Sequence, residues 1–414
     1  MNQKTLLIVL ALIFFARIGF GQHVPFDTLL NRAKAEFKRD SDMASYRVAV
    51  EKFEQVVALR PDNAEAHYFL AYSYARSNTQ DASTDPGMKL SLVIKASEQL
   101  EKTIQLSPAY TGENIILDPY SKLTSEWGAM ALSCVTNHKI DSAIWVLKEG
   151  KRRGGFDDFI LSQCRMVFNS CSRNSTLFTS GDNYFFPMLY LQLVEKMRLD
   201  ISVMDTGLIN TKWFPRLLME NGSVQFDLKE PALDTIDYKA WSDSTISIPV
   251  SGTGKYFSWV VKPSYQNNYI LRSDRILLSF LKENKFKRDI YFTQGYRIDE
   301  ILSLEEKFLE LPVVYKVNAL DEPQPTNEKF IADFKSLMMD LRPANKNAPD
   351  ELVTIACIRY TLYTRINRYL DNGDKDGAKA LVNLLNNYLP AKDYPLLETD
   401  EKELGEITEK FLQN

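Results

Sequence analysis

The stretch AVEKFEQVVALRPDNAEAHYFLAYSYA, residues 49–75, carries the spacing that decides the fold. Ala49, Phe53, Val56 and Pro61 stand at offsets of 0, 4, 7 and 12 residues. In a helix, a small residue lets a neighbouring helix approach closely, and large apolar residues one and two turns later fill the groove between the two. Proline then ends the helix. The stretch therefore predicts two packed helices joined by a short turn.

The same offsets recur at 96–108, at 143–155 with glycine in place of proline, and at 378–390. A second apolar set, one helix earlier, begins at His67, Trp127 and Leu362 ahead of these three copies. The pattern resembles the tetratricopeptide repeat over about 22–156 and about 350–392. That resemblance implies stacked helical hairpins with a concave face that binds a peptide or another protein.

The first helix of the second repeat supplies the candidate residues of this groove, which are Tyr68, Tyr72 and Arg76. Two polar insertions, at 77–91 and 110–122, contain glycine and proline. We expect them to be loops on one side of the stack.

The middle of the chain changes period. Short β-prone runs at 176–180 and 201–205 alternate with helical patterns, which suggests parallel strands joined by crossovers. A hairpin is predicted at 245–261, a helix at 274–283, and further strands at 289–293 and 312–316. The fold class is therefore mainly α with an α/β insert: repeat-like hairpins flank a small, mostly parallel α/β domain.

The first 21 residues have the pattern of a secretory signal peptide, with a positive start, an apolar run at 6–15 and small residues at Gly19 and Gly21. That run gives about 15 Å of helix, about half a bilayer core. We expect an exported protein, periplasmic or envelope-associated, that reaches the membrane only through partners. The predicted domains are a signal peptide at 1–21, helical repeats at 22–156, an α/β domain at 157–330 and a C-terminal hairpin at 331–414.

Residues 174–214 also resemble the soluble C-terminal part of a family of bacterial membrane glycosyltransferases that is similar to protein O-mannosyltransferases and has a GT-C membrane domain. Phrases at 275–293, 304–317 and 359–385 follow in that family's order. The catalytic membrane helices of the family are not matched here, so the resemblance implies an accessory module rather than mannosyl transfer. Family members usually have an acidic residue directly after Gly-Asp-Asn, where this chain has Tyr184.

Polar side chains follow the first two predicted strands. Asp182 and Asn183 come after the first strand, and Asp205 ends the second. Open α/β sheets bind ligands at the carboxyl ends of their strands, so these residues form a possible polar site for acid–base or metal chemistry. The alternative is that Asp182 or Asn183 caps the next helix and Asp205 shapes a loop.

Composition excludes several function classes. The net charge is −4, without the basic surface that nucleic acid requires. The chain has three histidines and no CxxC motif, so we predict no metal site. No phosphate-binding or dinucleotide-binding motif occurs in a strand–turn–helix setting, so we predict no cofactor.

We therefore expect a non-catalytic scaffold that binds a protein or peptide partner, and we assign no catalytic residue. The alternative is an envelope-glycan binding or processing accessory protein. A third hypothesis is a structural part of a secretion or gliding complex.

Overall fold

The computed structural model describes residues 25–39, 43–79, 87–295, 301–394, 401–402, 404–407 and 409. The predicted signal peptide at 1–21 lies outside these ranges, and so do residues 80–86 of the first predicted insertion. None of the helices in the described ranges has both the length and the apolar character that a bilayer crossing requires.

Helices dominate the chain, and one α/β insert interrupts them, as predicted. The helices are α1 (Phe26–Lys38), α2 (Met43–Leu59), α3 (Ala64–Asn78), α4 (Leu90–Leu106), α5 (Pro119–Thr136), α6 (Ile140–Arg152), α7 (Asp158–Ser170), α8 (Asp182–Leu193), α9 (Trp213–Glu220), α10 (Glu230–Thr235), α11 (Arg272–Asn284), α12 (Asn327–Met338), α13 (Pro349–Asp371) and α14 (Lys375–Tyr388). The strands are β1 (Thr176–Thr179), β2 (Ser202–Asp205), β3 (Lys239–Ala240), β4 (Ser244–Pro249), β5 (Tyr256–Val261), β6 (Tyr269–Ile270), β7 (Ile290–Thr293), β8 (Phe308–Glu310) and β9 (Val314–Val317).

Each of helices α1 to α5 packs on the next helix along the chain. The small residues of the repeated spacing, Ala49, Ala96 and Ala143, are fully buried. Helix starts follow from local chemistry: the Asn63 side chain accepts a hydrogen bond from the Ala66 N–H at 2.8 Å, and so caps α3. The spacing thus places small residues inside the helical stack, as the sequence predicts.

The α/β insert contains a five-stranded sheet in the order β2-β1-β7-β9-β8. Strands β1, β2 and β7 are parallel, whereas β9 is antiparallel to both of its neighbours. The prediction of parallel strands holds for the first three. It does not extend to β8 and β9. These two strands pair antiparallel because the short turn at 311–313 reverses the chain between them, and β8 itself was not predicted.

Helix α8 lies where the three parts of the chain meet. It packs against α5 and α6 of the N-terminal helices, against α7, against β2 of the sheet and against α13 near the C-terminus. Its sequence explains this position, since its apolar residues point in every direction and seven of its side chains are buried. A helix that is apolar all round has to be covered on all sides.

Helices α13 and α14 form the predicted C-terminal hairpin. Leu362 and Ile366 of α13 and Ala378 of α14 are fully buried. The buried guanidinium of Arg359 donates to the Leu389 carbonyl at 2.9 Å and pairs with the Glu401 carboxylate. The hairpin is thereby tied to the residues that follow it, and α13 covers one side of α8.

Gly128 of α5 lies directly against Phe186 of α8. A Cβ at this position would lie 2.1 Å from Phe186 Cγ and 2.5 Å from Phe186 Cβ. Since Phe186 Cβ is fixed to the α8 backbone, rotation of the ring cannot relieve the overlap. We predict that Gly128→Ala lowers the free energy of unfolding by about 1–3 kcal/mol, measured by urea denaturation.

Gly405 is the matched control, because it is also helical and a Cβ there meets nothing within 4 Å. Gly405→Ala should leave stability unchanged or raise it slightly, by about 0.5–1 kcal/mol. Equal stabilities of the two variants would contradict the tight contact between α5 and α8.

Candidate functional site

The predicted polar residues lie at the carboxyl ends of β1 and β2. The two strands pair in parallel with Thr179 opposite Asp205, so Asp205 and Asp182 come to the same edge of the sheet. The two carboxyl groups interact, and Asp182 adds to the rise in the pKa of Asp205 that burial causes, to about 6. The two carboxyl groups therefore lie at one edge of the sheet, which is what the sequence predicts if β1 and β2 are parallel neighbours.

The Asp205 carboxylate is used entirely within the chain. One oxygen accepts from the Gly181 N–H at 2.9 Å and the Thr179 hydroxyl at 3.1 Å. The other accepts from the Gly207 and Leu208 N–H groups at 2.9 and 3.0 Å. Asp205 is buried and shapes the turns after β1 and β2, which is the alternative role given above.

Asp182 and Asn183 point towards the helices. The Asn183 amide donates to the Ser121 hydroxyl of α5 at 3.2 Å and to the Asp350 carbonyl of α13 at 3.0 Å. Burial raises the pKa of Asp182, and a hydrogen bond with the Ser125 side chain of α5 opposes that rise. These two residues join α8 to α5 and α13. Asp182, Asn183 and Asp205 do not line one open pocket.

A cavity of about 520 Å³ lies instead at the carboxyl ends of β1 and β7, beside the start of α11. Its size is that of a small-molecule site. The wall combines aromatic rings, aliphatic side chains and hydroxyl groups, and it includes Phe178, Tyr184, Phe292, Leu271, Ile301, Val353, Thr179, Ser180, Thr206, Ser264, Ser273 and Thr293. Sequence reasoning located the strand ends but missed this wall, because Ser264 and Ser273 come from a turn and a helix start far along the chain.

Among the described residues that line this cavity, Asp274 is the single acidic residue, and none is Lys, Arg or His. Asp274 lies at the start of α11, and its carboxylate accepts hydrogen bonds from the Leu271 N–H at 2.8 Å and from the Ser264 hydroxyl. The described wall thus holds a single carboxylate, already bonded within the chain, rather than the pair that acid–base hydrolysis of a glycoside uses.

The predicted groove residues Tyr68 and Tyr72 are buried beneath the chain's own residues 110–118. Both hydroxyls donate to the Leu117 carbonyl, at 2.8 and 3.1 Å. They also accept from the main chain, Tyr68 from the Ile115 N–H and Tyr72 from the Leu117 N–H. The prediction that these two tyrosines line an open groove is therefore wrong, because the insertion folds onto α3 and covers them.

Further contacts fix this segment on α1 and α3. The Tyr110 ring stacks on the Tyr68 ring with centroids 4.7 Å apart. The Glu113 carboxylate pairs with Lys34, at 2.8 Å, and with Lys38. Arg76, the third predicted groove residue, lies half-buried near the end of α3.

The N-termini of α5, α7 and α13 meet at a junction of carboxyl groups. Asp118 caps α5, and its carboxylate accepts from the Asp350 N–H at 2.9 Å, while the Asp118 N–H donates to the Asp350 carboxylate. Asp157 caps α7 and shares a hydrogen bond with the buried Glu351 of α13. This carboxyl junction joins two parts of the chain more than two hundred residues apart.

The junction perturbs its own titration. Burial, with Asp350 beside it, raises the pKa of Asp118 to about 6. Burial and the neighbouring Asp157 raise the pKa of Glu351 to about 9. Glu351 is therefore protonated near neutral pH. Among the described residues, no cluster of His, Cys, Asp or Glu has the arrangement of a metal site.

Comparison with known families gives one match to part of the chain. Residues 161–223 match a family described as TMEM260-associated domain 2, which is linked to membrane glycosyltransferase-like proteins. The match contains the block at 174–214, the first of the four that carry the resemblance noted in the sequence, and it spans β1, α8, β2 and α9. No tetratricopeptide model matches, and no curated protein matches the chain.

The raised pKa of Glu351 predicts that the stability of the protein depends on pH. Its pKa in the folded chain lies above the ordinary value of 4.5, so folding takes up a proton and the free energy of unfolding falls as pH rises towards 9. Glu351→Gln keeps the shape without the titration. Between about pH 6 and about pH 8, we expect the wild type to lose on the order of 2 kcal/mol more stability than this variant, measured by urea denaturation.

Glu306→Gln serves as the control, because Glu306 is an exposed glutamate outside the carboxyl junction. It should retain the wild-type slope of stability against pH. A Glu351→Gln variant with that same slope would show that Glu351 is charged in the folded chain.

Proposed function

We propose that this chain is a non-catalytic accessory protein of the cell envelope that binds a glycan in the cavity at the carboxyl ends of β1 and β7. The composition of the cavity wall carries the proposal. The aliphatic and aromatic side chains of the wall offer apolar surface to the C–H face of a sugar, and serine and threonine hydroxyls both donate to and accept from sugar hydroxyls. A few polar groups on a mostly apolar wall are typical of small-molecule sites.

The family match supports the same proposal. Residues 161–223 supply the cavity wall at Phe178, Ser180, Tyr184 and Thr206. Tyr184 stands where members of the resembling glycosyltransferase family usually have an acidic residue. In this chain its ring lines the cavity, and its hydroxyl donates to the Thr354 carbonyl at 3.3 Å. An aromatic ring in place of a carboxylate favours binding over acid–base chemistry.

The flanking helices fit a supporting role in this proposal. The repeated burial of Ala49, Ala96 and Ala143 supports tetratricopeptide-like hairpins, which would present the α/β domain to the rest of an envelope assembly. Export rests on the sequence pattern at 1–21.

A protein-binding scaffold is the second candidate. The face of α3 predicted to bind a partner is covered by residues 110–118, so a partner needs another surface. One observation favours such a surface on α6, where Trp145 is 51% exposed. Exposed tryptophan is enriched among the residues that dominate binding energy in protein interfaces.

The glycan proposal predicts a loss of binding when the cavity is filled. Val353 lines the cavity and is 47% exposed, so Val353→Trp can place a ring in the cavity mouth without disturbing the core. Against a panel of hexose, N-acetylhexosamine and hexuronic acid saccharides measured by calorimetry, we expect the variant to lose about tenfold or more in affinity, which is ~1.4 kcal/mol.

The matched control is Val48→Trp, because Val48 is 40% exposed on α2 and does not line the cavity. It should bind like the wild type. If no saccharide of the panel binds the wild type, the glycan proposal is wrong.

The scaffold candidate predicts that Trp145→Ala removes a stoichiometric protein partner recovered with the tagged wild-type chain from its own cells. Val48→Ala should recover the same partner. An unchanged partner after Trp145→Ala would exclude α6 as the contact surface.

A further inference from the structure

Exposed tyrosines stand beside the mouth of the cavity. Tyr238 is 60% and Tyr265 is 48% exposed, and the Tyr238 ring meets the half-buried Tyr269 ring edge to face with centroids 5.6 Å apart. Single exposed apolar residues are ordinary, but a group of aromatic rings at one place indicates a binding surface.

The chain connects these rings directly to the cavity. Ser264, which lines the cavity, immediately precedes Tyr265, and Leu271, which also lines it, follows β6. The Ser264 hydroxyl bonds the Asp274 carboxylate at the start of α11. The Ser264 and Tyr265 N–H groups donate to the Tyr269 carbonyl at 2.9 and 3.0 Å. The turn that carries Tyr265 is therefore held in place against the cavity wall.

The same turn presents amide side chains. Gln266 and Asn267 are exposed and adopt φ values of 49° and 56°, a left-handed conformation that costs free energy in residues other than glycine. The Gln266 amide donates to the Tyr265 hydroxyl at 3.1 Å. Amides offer both donors and acceptors, so this turn places hydrogen-bonding groups around an exposed ring.

We infer that residues 264–269 together with Tyr238 form an outer saccharide-binding surface, called the tyrosine–amide surface, and that the ligand is an oligosaccharide rather than a single sugar. This inference rests on the proposed function of the cavity. One sugar unit of the oligosaccharide occupies the cavity. The next unit lies against Tyr265, and the amides of Gln266 and Asn267 form hydrogen bonds with its hydroxyls. The sugar in the cavity is neutral, because the Asp274 carboxylate repels an anion there.

The test compares a neutral monosaccharide with an oligosaccharide of the same sugar, using calorimetry on the full chain. The wild type should bind the oligosaccharide more tightly than the monosaccharide. Tyr265→Ala should lower affinity for the oligosaccharide by roughly three- to tenfold, the scale of one aromatic contact, and leave monosaccharide affinity unchanged. Val353→Trp should weaken both, since it fills the cavity itself.

Tyr256→Ala is the matched control. Tyr256 is 67% exposed, but the neighbouring Phe257 ring packs 4.8 Å from Phe286, beyond the last residue of α11. The cavity lies against the first half of that helix, about 14–20 Å away along its axis. This variant should bind both saccharides like the wild type.

The outcomes separate the two proposals. Equal wild-type affinities for the two saccharides, or equal oligosaccharide affinities of Tyr265→Ala and Tyr256→Ala, would overturn the tyrosine–amide surface while the glycan-binding cavity stands. A Tyr265→Ala variant that loses a protein partner but keeps its oligosaccharide affinity would assign the surface to protein contact instead. If the wild type binds no saccharide of either length, the cavity proposal and this inference both fail.

Discussion

Helix α8 carries apolar side chains on every side, and contact of any of them with water would cost free energy. Full burial of one large apolar side chain stabilises a fold by roughly 1.5–3 kcal/mol. Seven buried side chains on a helix of 12 residues leave no face that the protein can turn to solvent. Packing therefore has to come from several parts of the chain at once. The N-terminal helices, the sheet and the C-terminal hairpin all contact α8, and the contact with α5 depends on the missing side chain at Gly128.

The position of α8 also determines which chemistry the sheet edge can offer. Gly181, at a φ of 86°, starts the helix directly after β1, so the Asp182 and Asn183 side chains reach α5 and α13 rather than the space above the strands. The Asp205 carboxylate then bonds the turns that follow β1 and β2. Space for a ligand remains on the other side of β1, between it and β7, where Phe178, Phe292 and the start of α11 form the wall.

The two ends of the fold are joined by polar groups whose burial is costly. In the carboxyl junction, Asp118 and Asp350 each accept the other's backbone N–H, and the positive ends of the α5, α7 and α13 dipoles lie beside the carboxyl groups. A protonated Glu351 lowers the local negative charge. Residues 110–118 lie between this junction and the face of α3, with Tyr68 and Tyr72 bonded to their main chain. The surface that a repeat protein often keeps for a partner is thus filled from within the same chain.

Local sequence determined the repeat helices and the parallel strands of this protein. The spacing around Ala49 and its copies fixed the helices and their buried faces, and the β-prone runs fixed β1, β2 and β7, because both signals depend on residues within one or two turns of each other. Tertiary structure alone decided the candidate site. Ser180, Ser264, Ser273 and Val353 share one cavity only because distant segments pack there. The sequence predicted Tyr68 and Tyr72 as groove residues, but in the structure residues 110–118 cover them. Sequence spacing shows which face of a helix a side chain occupies but not what lies against that face.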